Sequence, residues 1–213
     1  MKELSEREIS KLKRAIIQRG FKLFDNGPYD LNVISIRSNV TESDKFDDVL
    51  CVIFKKSNRM WYGYSYPITT DPGKHWLLNP LNKKGTLILK ANEQYLKMFK
   101  MGFHGRSGSN PYRAPEQVGS GIYVRDNNKD SLLDFSLFKN PANWIRGVFK
   151  TNIHRASFWK RLFNIGKYSA GCQVFADPND FDHFMELFDK QINNGYGDYL
   201  SYTLFTQKYF DTI

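Results

Sequence analysis

The strongest constraint on this chain is a series of short apolar or alternating runs set between regularly spaced turn signals. Asp30-Leu31-Asn32-Val33-Ile34-Ser35-Ile36-Arg37 alternates polar and apolar residues with period two, the pattern of a half-buried strand. Residues 46–55 and 60–66 continue in the same style, and Asn58-Arg59 between them reads as a hairpin turn. Residues 86–90, 121–124 and 199–205 are further strand candidates. Asp71-Pro72-Gly73, Asn79-Pro80, Asn110-Pro111 and Asn140-Pro141 punctuate them as turns. Many short strands broken by such turns indicate a β-rich α+β fold.

Two helices are expected beside the strands. Residues 4–19 place Leu4, Ile9, Leu12, Ala15 and Ile16 on one face, with Ser5 as N-cap and Gly20 as C-cap. The narrow stripe, flanked by both charge signs, favours packing on the chain's own domain over a membrane surface. Residues 180–191 form the second helix. The region 102–120, rich in Gly and Pro, reads as a loop that can carry binding residues. No linker or internal repeat divides the chain, so residues 1–28 form a helical segment attached to one compact domain over 29–213.

Composition excludes several classes. With 41% hydrophobic and 15% aromatic residues in 213, the chain has the material for a packed core. A formal charge of +9 favours polyanionic partners: an acidic cell wall first, with nucleic acid the lesser reading. Two cysteines cannot build a disulfide framework. No metal-ligand spacing is present. Arg125-Asp126-Asn127-Asn128-Lys129-Asp130 lacks the glycine and closing glutamate of a calcium loop and reads as a solvated turn. Neither a cofactor nor a metal is expected. The first seven residues are charged, without the apolar stretch of a secretory signal, and no run of eighteen apolar residues could span a membrane.

Chemistry concentrates in residues 152–175. Cys172 follows Ser169-Ala170-Gly171, and His154 precedes it by eighteen positions. A thiol is a strong nucleophile once it becomes a thiolate, and histidine suits the task of taking and returning its proton. A lone cysteine is more often a small buried hydrophobe, which is the reading for Cys51 within Val49-Leu50-Cys51-Val52-Ile53-Phe54. Gly171 separates the two cases, because it permits a tight turn and leaves the sulfur uncrowded. His104, between Gly102 and Gly105, is the second candidate histidine, with Arg106 beside it as a carboxylate partner. His75 and His183 read as rim or packing residues.

The order His154, Gly166, Ser169-x-Gly171-Cys172 resembles the signature of the L,D-transpeptidase (YkuD-type) catalytic domain. The resemblance extends upstream to Tyr66-Pro67-Ile68-Thr69-Thr70-Asp71-Pro72-Gly73 and covers residues 46–205, in a divergent branch of phages and their bacterial hosts. It implies an L,D-transpeptidase-like β-sandwich with an N-terminal helix and a helix after the catalytic cysteine. Ala170 stands where the family has histidine, Gln173-Val174 where it has Arg or Asn, and Arg155 where it has glycine. The implied chemistry is acyl transfer on peptidoglycan stem peptides. Cys172 is the nucleophile and His154 the base. The Ser169 hydroxyl or a backbone carbonyl near it orients the imidazole, and the N–H groups of Gly171 and Cys172 stabilise the oxyanion. Arg155, His104, Arg106 and Gln173 contact substrate. Hydrolysis by a phage lysin-like L,D-carboxypeptidase or endopeptidase is the favoured outcome, with cross-linking by an L,D-transpeptidase as the other. The expected route is synthesis in the cytoplasm followed by release through a holin, virion delivery or dedicated secretion. The alternative is a wall-binding or virion structural protein that keeps the fold without catalysis. The oligomeric state is not legible.

Overall fold

The computed structural model describes residues 1–105 and 110–213. Its centre is a nine-stranded sheet. Along the path the strands run β10 (Ile153–Arg155), β11 (Gln173–Phe175), β4 (Trp61–Thr69), β3 (Asp48–Lys55), β2 (Asn32–Arg37), β12 (Tyr199–Thr206), β6 (Glu93–His104) and β7 (Tyr112–Gln117). The short β1 (Lys2–Glu3) adds to β4 through Lys2↔Ser65 and Glu3↔Tyr64. The sheet is nearly closed, because side chains stitch the edge strand β7 to β10. The Gln117 N–H donates to Asn152 Oδ1 at 2.9 Å, and Gln117 Oε1 accepts from the N–H groups of Phe149 and Thr151. A second sheet, β5 (Thr86–Leu89), β8 (Gly121–Asp126) and β9 (Ile145–Gly147), lies beside it.

Alternation sorts the core onto two faces of the main sheet. Leu50, Val52 and Phe54 of β3 join Val33, Tyr66 and Tyr202 on one face. There they meet Phe181, Phe184 and Phe188 of α3 (Pro178–Asn193). Ile34, Ile36, Cys51 and Ile53 point the other way, against Ile9, Leu12, Ala15 and Ile16 of α1 (Glu6–Gln18). Ser5 caps α1 with a full capping box, its hydroxyl accepting from the Glu8 N–H while Glu8 reaches back to the Ser5 N–H. The short α2 (Lys74–Leu78) packs Leu77 on Ile88 and Val124 of the small sheet, and α4 (Gln207–Phe210) closes the chain. Among the described residues no helix is long and apolar enough to cross a membrane.

The expected β-rich architecture, the hairpin at Asn58-Arg59, the N-terminal helix and the helix after Cys172 are all present. The region read as a loop at 102–120 is corrected in part. Strand β6 runs to His104, and β7 uses Tyr112 to Gln117 with Pro115 inside it. Pro115 is tolerated because β7 pairs along its length with β6 alone, so its missing N–H costs no second ladder.

Candidate functional site

Strands β10 and β11 pair in parallel, with His154 opposite Val174 and Gln173 bonded to the Asn152 carbonyl at 2.9 Å. Cys172 immediately precedes β11, at the end of the register where Asn152 immediately precedes β10.

Backbone geometry fixes the approach to the sulfur. Gly171 has φ +119, and a Cβ there would sit 2.8 Å from the Leu87 carbonyl oxygen, so no side chain fits. Ser169 is fully buried, and its hydroxyl donates to the Cys172 carbonyl at 2.9 Å and accepts from the Gly171 N–H at 3.2 Å. Ser169 therefore shapes the turn, and the expectation that it orients His154 is corrected. The same bond engages the Gly171 N–H, which corrects its expected place in an oxyanion hole.

His154 is oriented by a different group. Its Nδ1 lies 3.0 Å from the Arg155 carbonyl oxygen. A carbonyl only accepts, so in the neutral ring Nδ1 carries the proton and Nε2 is left as the acceptor. The imidazole is buried and pushed down to about 3, first by burial and then by the neighbouring His104, with the Arg155 carbonyl opposing. His104 stacks on it at 3.9 Å between ring centroids with 13° between planes. Burial also lowers His104. The two histidines chosen from the sequence thus meet face to face.

The thiol of Cys172 is half-buried and pushed up to about 11 by burial, with a hydrogen bond from the Asn152 backbone opposing. Its sulfur lies 3.8 Å from the Lys150 carbonyl oxygen. At rest the pair is therefore a neutral thiol and a neutral imidazole. They open onto separate spaces. Cys172 borders a cavity of about 370 Å³ with Leu87, Arg125, Phe149, Lys150 and Thr151. His154 borders one of about 410 Å³ with His104, Tyr112, Arg155 and Trp159. Trp159 is 92% exposed at its rim.

One expected substrate contact is corrected: Gln173 is fully buried on the α3 face, where its Oε1 accepts from the Tyr202 hydroxyl at 2.7 Å. Arg155 borders the His154 cavity: Nη1 donates to Asp182 Oδ1 at 2.8 Å, the guanidinium lies over the rings of Tyr112 and Phe158, and its buried Nε has no hydrogen-bond partner among the described residues. Arg106 lies outside the described residues. Cys51 is buried beneath α1 and pushed up to about 12. His183 packs at Tyr66, whose hydroxyl is 2.8 Å from its Nδ1, and His75 packs edge-on against Trp76.

Lys150, Asn152 and Tyr112 were not singled out from the sequence. Lys150 has φ +63, unusual for a residue with a side chain, and Asn152 both supplies the hydrogen bond to the thiol and closes the sheet. Only the proximity of Asn152 to His154 on one strand could have suggested it. Among the described residues no cluster of three His, Cys, Asp or Glu side chains could hold a metal ion. No family model, curated protein or solved structure matches this chain.

Proposed function

We propose that this chain is a cysteine acyltransferase of the L,D-transpeptidase type acting on peptidoglycan stem peptides, with water as acceptor. The supporting observation is the pairing of β10 with β11. Cys172 immediately precedes β11, and β10 carries a histidine whose Nδ1 is tied to a carbonyl and whose Nε2 is left to accept a proton. In the reaction Sγ attacks the carbonyl carbon of a stem-peptide bond while its proton passes to His154 Nε2. The tetrahedral intermediate collapses to a thioester, and the same proton goes to the departing amine. Water then loses a proton to His154 and attacks the thioester. The Cys172 sulfur is expelled and takes that proton back from His154, which restores the thiol, and the product leaves as a carboxylic acid that ionises in water. An amine in place of water gives a cross-link. The low basicity of the resting imidazole means that proton transfer accompanies bond formation and does not precede it.

The basic surface suits an acidic wall: Lys160, Arg161 and Lys167 are exposed on the segment between the two catalytic candidates. A second reading rests on its own observation. The thiol and the imidazole border separate cavities, as they would in a wall-binding or virion structural protein that kept the fold and lost the reaction.

Digestion of purified peptidoglycan fragments by Cys172→Ala and Cys51→Ala, with folding checked by circular dichroism, separates these readings. Loss of product only in Cys172→Ala supports the enzyme, as does a covalent carbapenem adduct on Cys172 by intact mass. A wild-type protein that binds walls, forms no adduct and releases no product supports the structural protein.

A further inference from the structure

A cavity of about 630 Å³ lies away from Cys172. It opens where the parallel strands β2 and β12 end, at Arg37 and Thr206. Five cationic residues line it: Arg19, Arg37, Lys90, Lys139 and Lys208. No carboxylate does. Two of the five are already matched, Arg37 by Asp71 at 3.0 Å and Lys90 by Glu93. Among the described residues no ion pair holds Arg19, Lys139 or Lys208. They come from three separate places, the C-cap of α1, the end of the 3₁₀ turn Phe135–Lys139, and α4.

Three exposed cations without an ion-pair partner among the described residues give this concave space a positive potential that favours an anion, with Arg19 steadied by its bond to the Asn92 carbonyl at 2.7 Å. Phe135 and Phe138 supply an apolar wall to the same cavity, and Arg37 lies over the Phe135 ring at 5.4 Å. The volume falls in the range of small-molecule sites, roughly 300–1,000 Å³. We propose that this cavity binds a nucleoside oligophosphate, its phosphates held by Arg19, Lys139 and Lys208 and its base set against Phe135 and Phe138. Oligophosphate chemistry provides the several negative charges, and a base stacks on an aromatic side chain whatever its identity. The proposal is independent of any reaction at Cys172.

Isothermal titration at about 0.15 M salt tests it, with ATP, inorganic tripolyphosphate and adenosine as probes. ATP is expected to bind more tightly than tripolyphosphate, and adenosine to give no measurable heat. The double variant Lys139→Gln/Lys208→Gln alters only exposed residues. It should weaken ATP by at least about tenfold while Lys160→Gln/Arg161→Gln leaves it unchanged. Three results overturn the proposal. ATP gives no heat at millimolar concentration, both double variants weaken it equally, or tripolyphosphate binds as tightly as ATP.

Discussion

At Cys172 two influences oppose each other, and their balance sets how the thiol reacts. Burial raises it to about 11, and the Asn152 backbone hydrogen bond pulls the other way. A thiol in that state is almost wholly protonated near neutrality, whereas a preformed thiolate–imidazolium pair would be ionised there. Alkylation of Cys172 by iodoacetamide, followed by intact mass, should therefore accelerate steadily as pH rises toward about 11. Cys51, buried under α1, should react far more slowly throughout. A rate that levels off below about pH 8, the range of activated cysteines, would show a thiolate stabilised at rest and would sink this account.

The elements differ in how far the sequence revealed them, and the reason is period. Strands β2, β3 and β4 and helix α1 are long enough to read, although β2 and β3 bury residues on both faces of the sheet. β10 and β11 are three residues each, too short to show any period, yet they hold the site. β7 was hidden by Pro115 and by the glycines before it. The closure through Gln117, Thr151 and Asn152 depends on residues more than thirty positions apart, which one sequence cannot associate. His154, His104 and Cys172 were legible because their types are rare and chemically distinctive. Gln173 was misjudged because its partner, Tyr202, is distant in the chain. The place of α1 can be measured directly. Leu12 is 2% exposed against the sheet, so Leu12→Ala should cost about 2–5 kcal/mol in urea unfolding. A cost below about 0.5 kcal/mol, the range of surface substitutions, would mean that α1 does not pack there in solution.

On the scale of the molecule, two buried groups pull the pH dependence of stability in opposite directions. Arg37, almost wholly buried, lies between two carboxylates, Asp71 at 3.0 Å and Asp48, which is tied to Thr70. One guanidinium cannot match two buried anions. Burial, reinforced by Asp48 and opposed by Arg37, pushes Asp71 up to about 7. Between its ordinary value near 3.9 and that raised value, the native state holds a proton that the unfolded chain has released. Asp71 therefore removes stability as pH rises from about 4 to about 7. His154 does the reverse. The unfolded imidazole takes a proton below about 6.5, whereas the native ring waits until about 3, so acidification across that window removes stability. His104 and His183, also lowered by burial, add to the His154 side. Asp47, Asp48 and Asp126, also raised by burial, add to the Asp71 side, so the two sets of groups oppose each other across this range. Asp71→Asn removes one slope, so the variant should gain stability relative to wild type as pH rises from about 4 to about 7, by a few kcal/mol at most. His154→Gln removes the other and should gain relative to wild type as pH falls through the same window. Melting curves of the two variants across that range decide the matter. Parallel profiles for both variants and the wild type would mean that neither group is held in the protonation state its burial imposes.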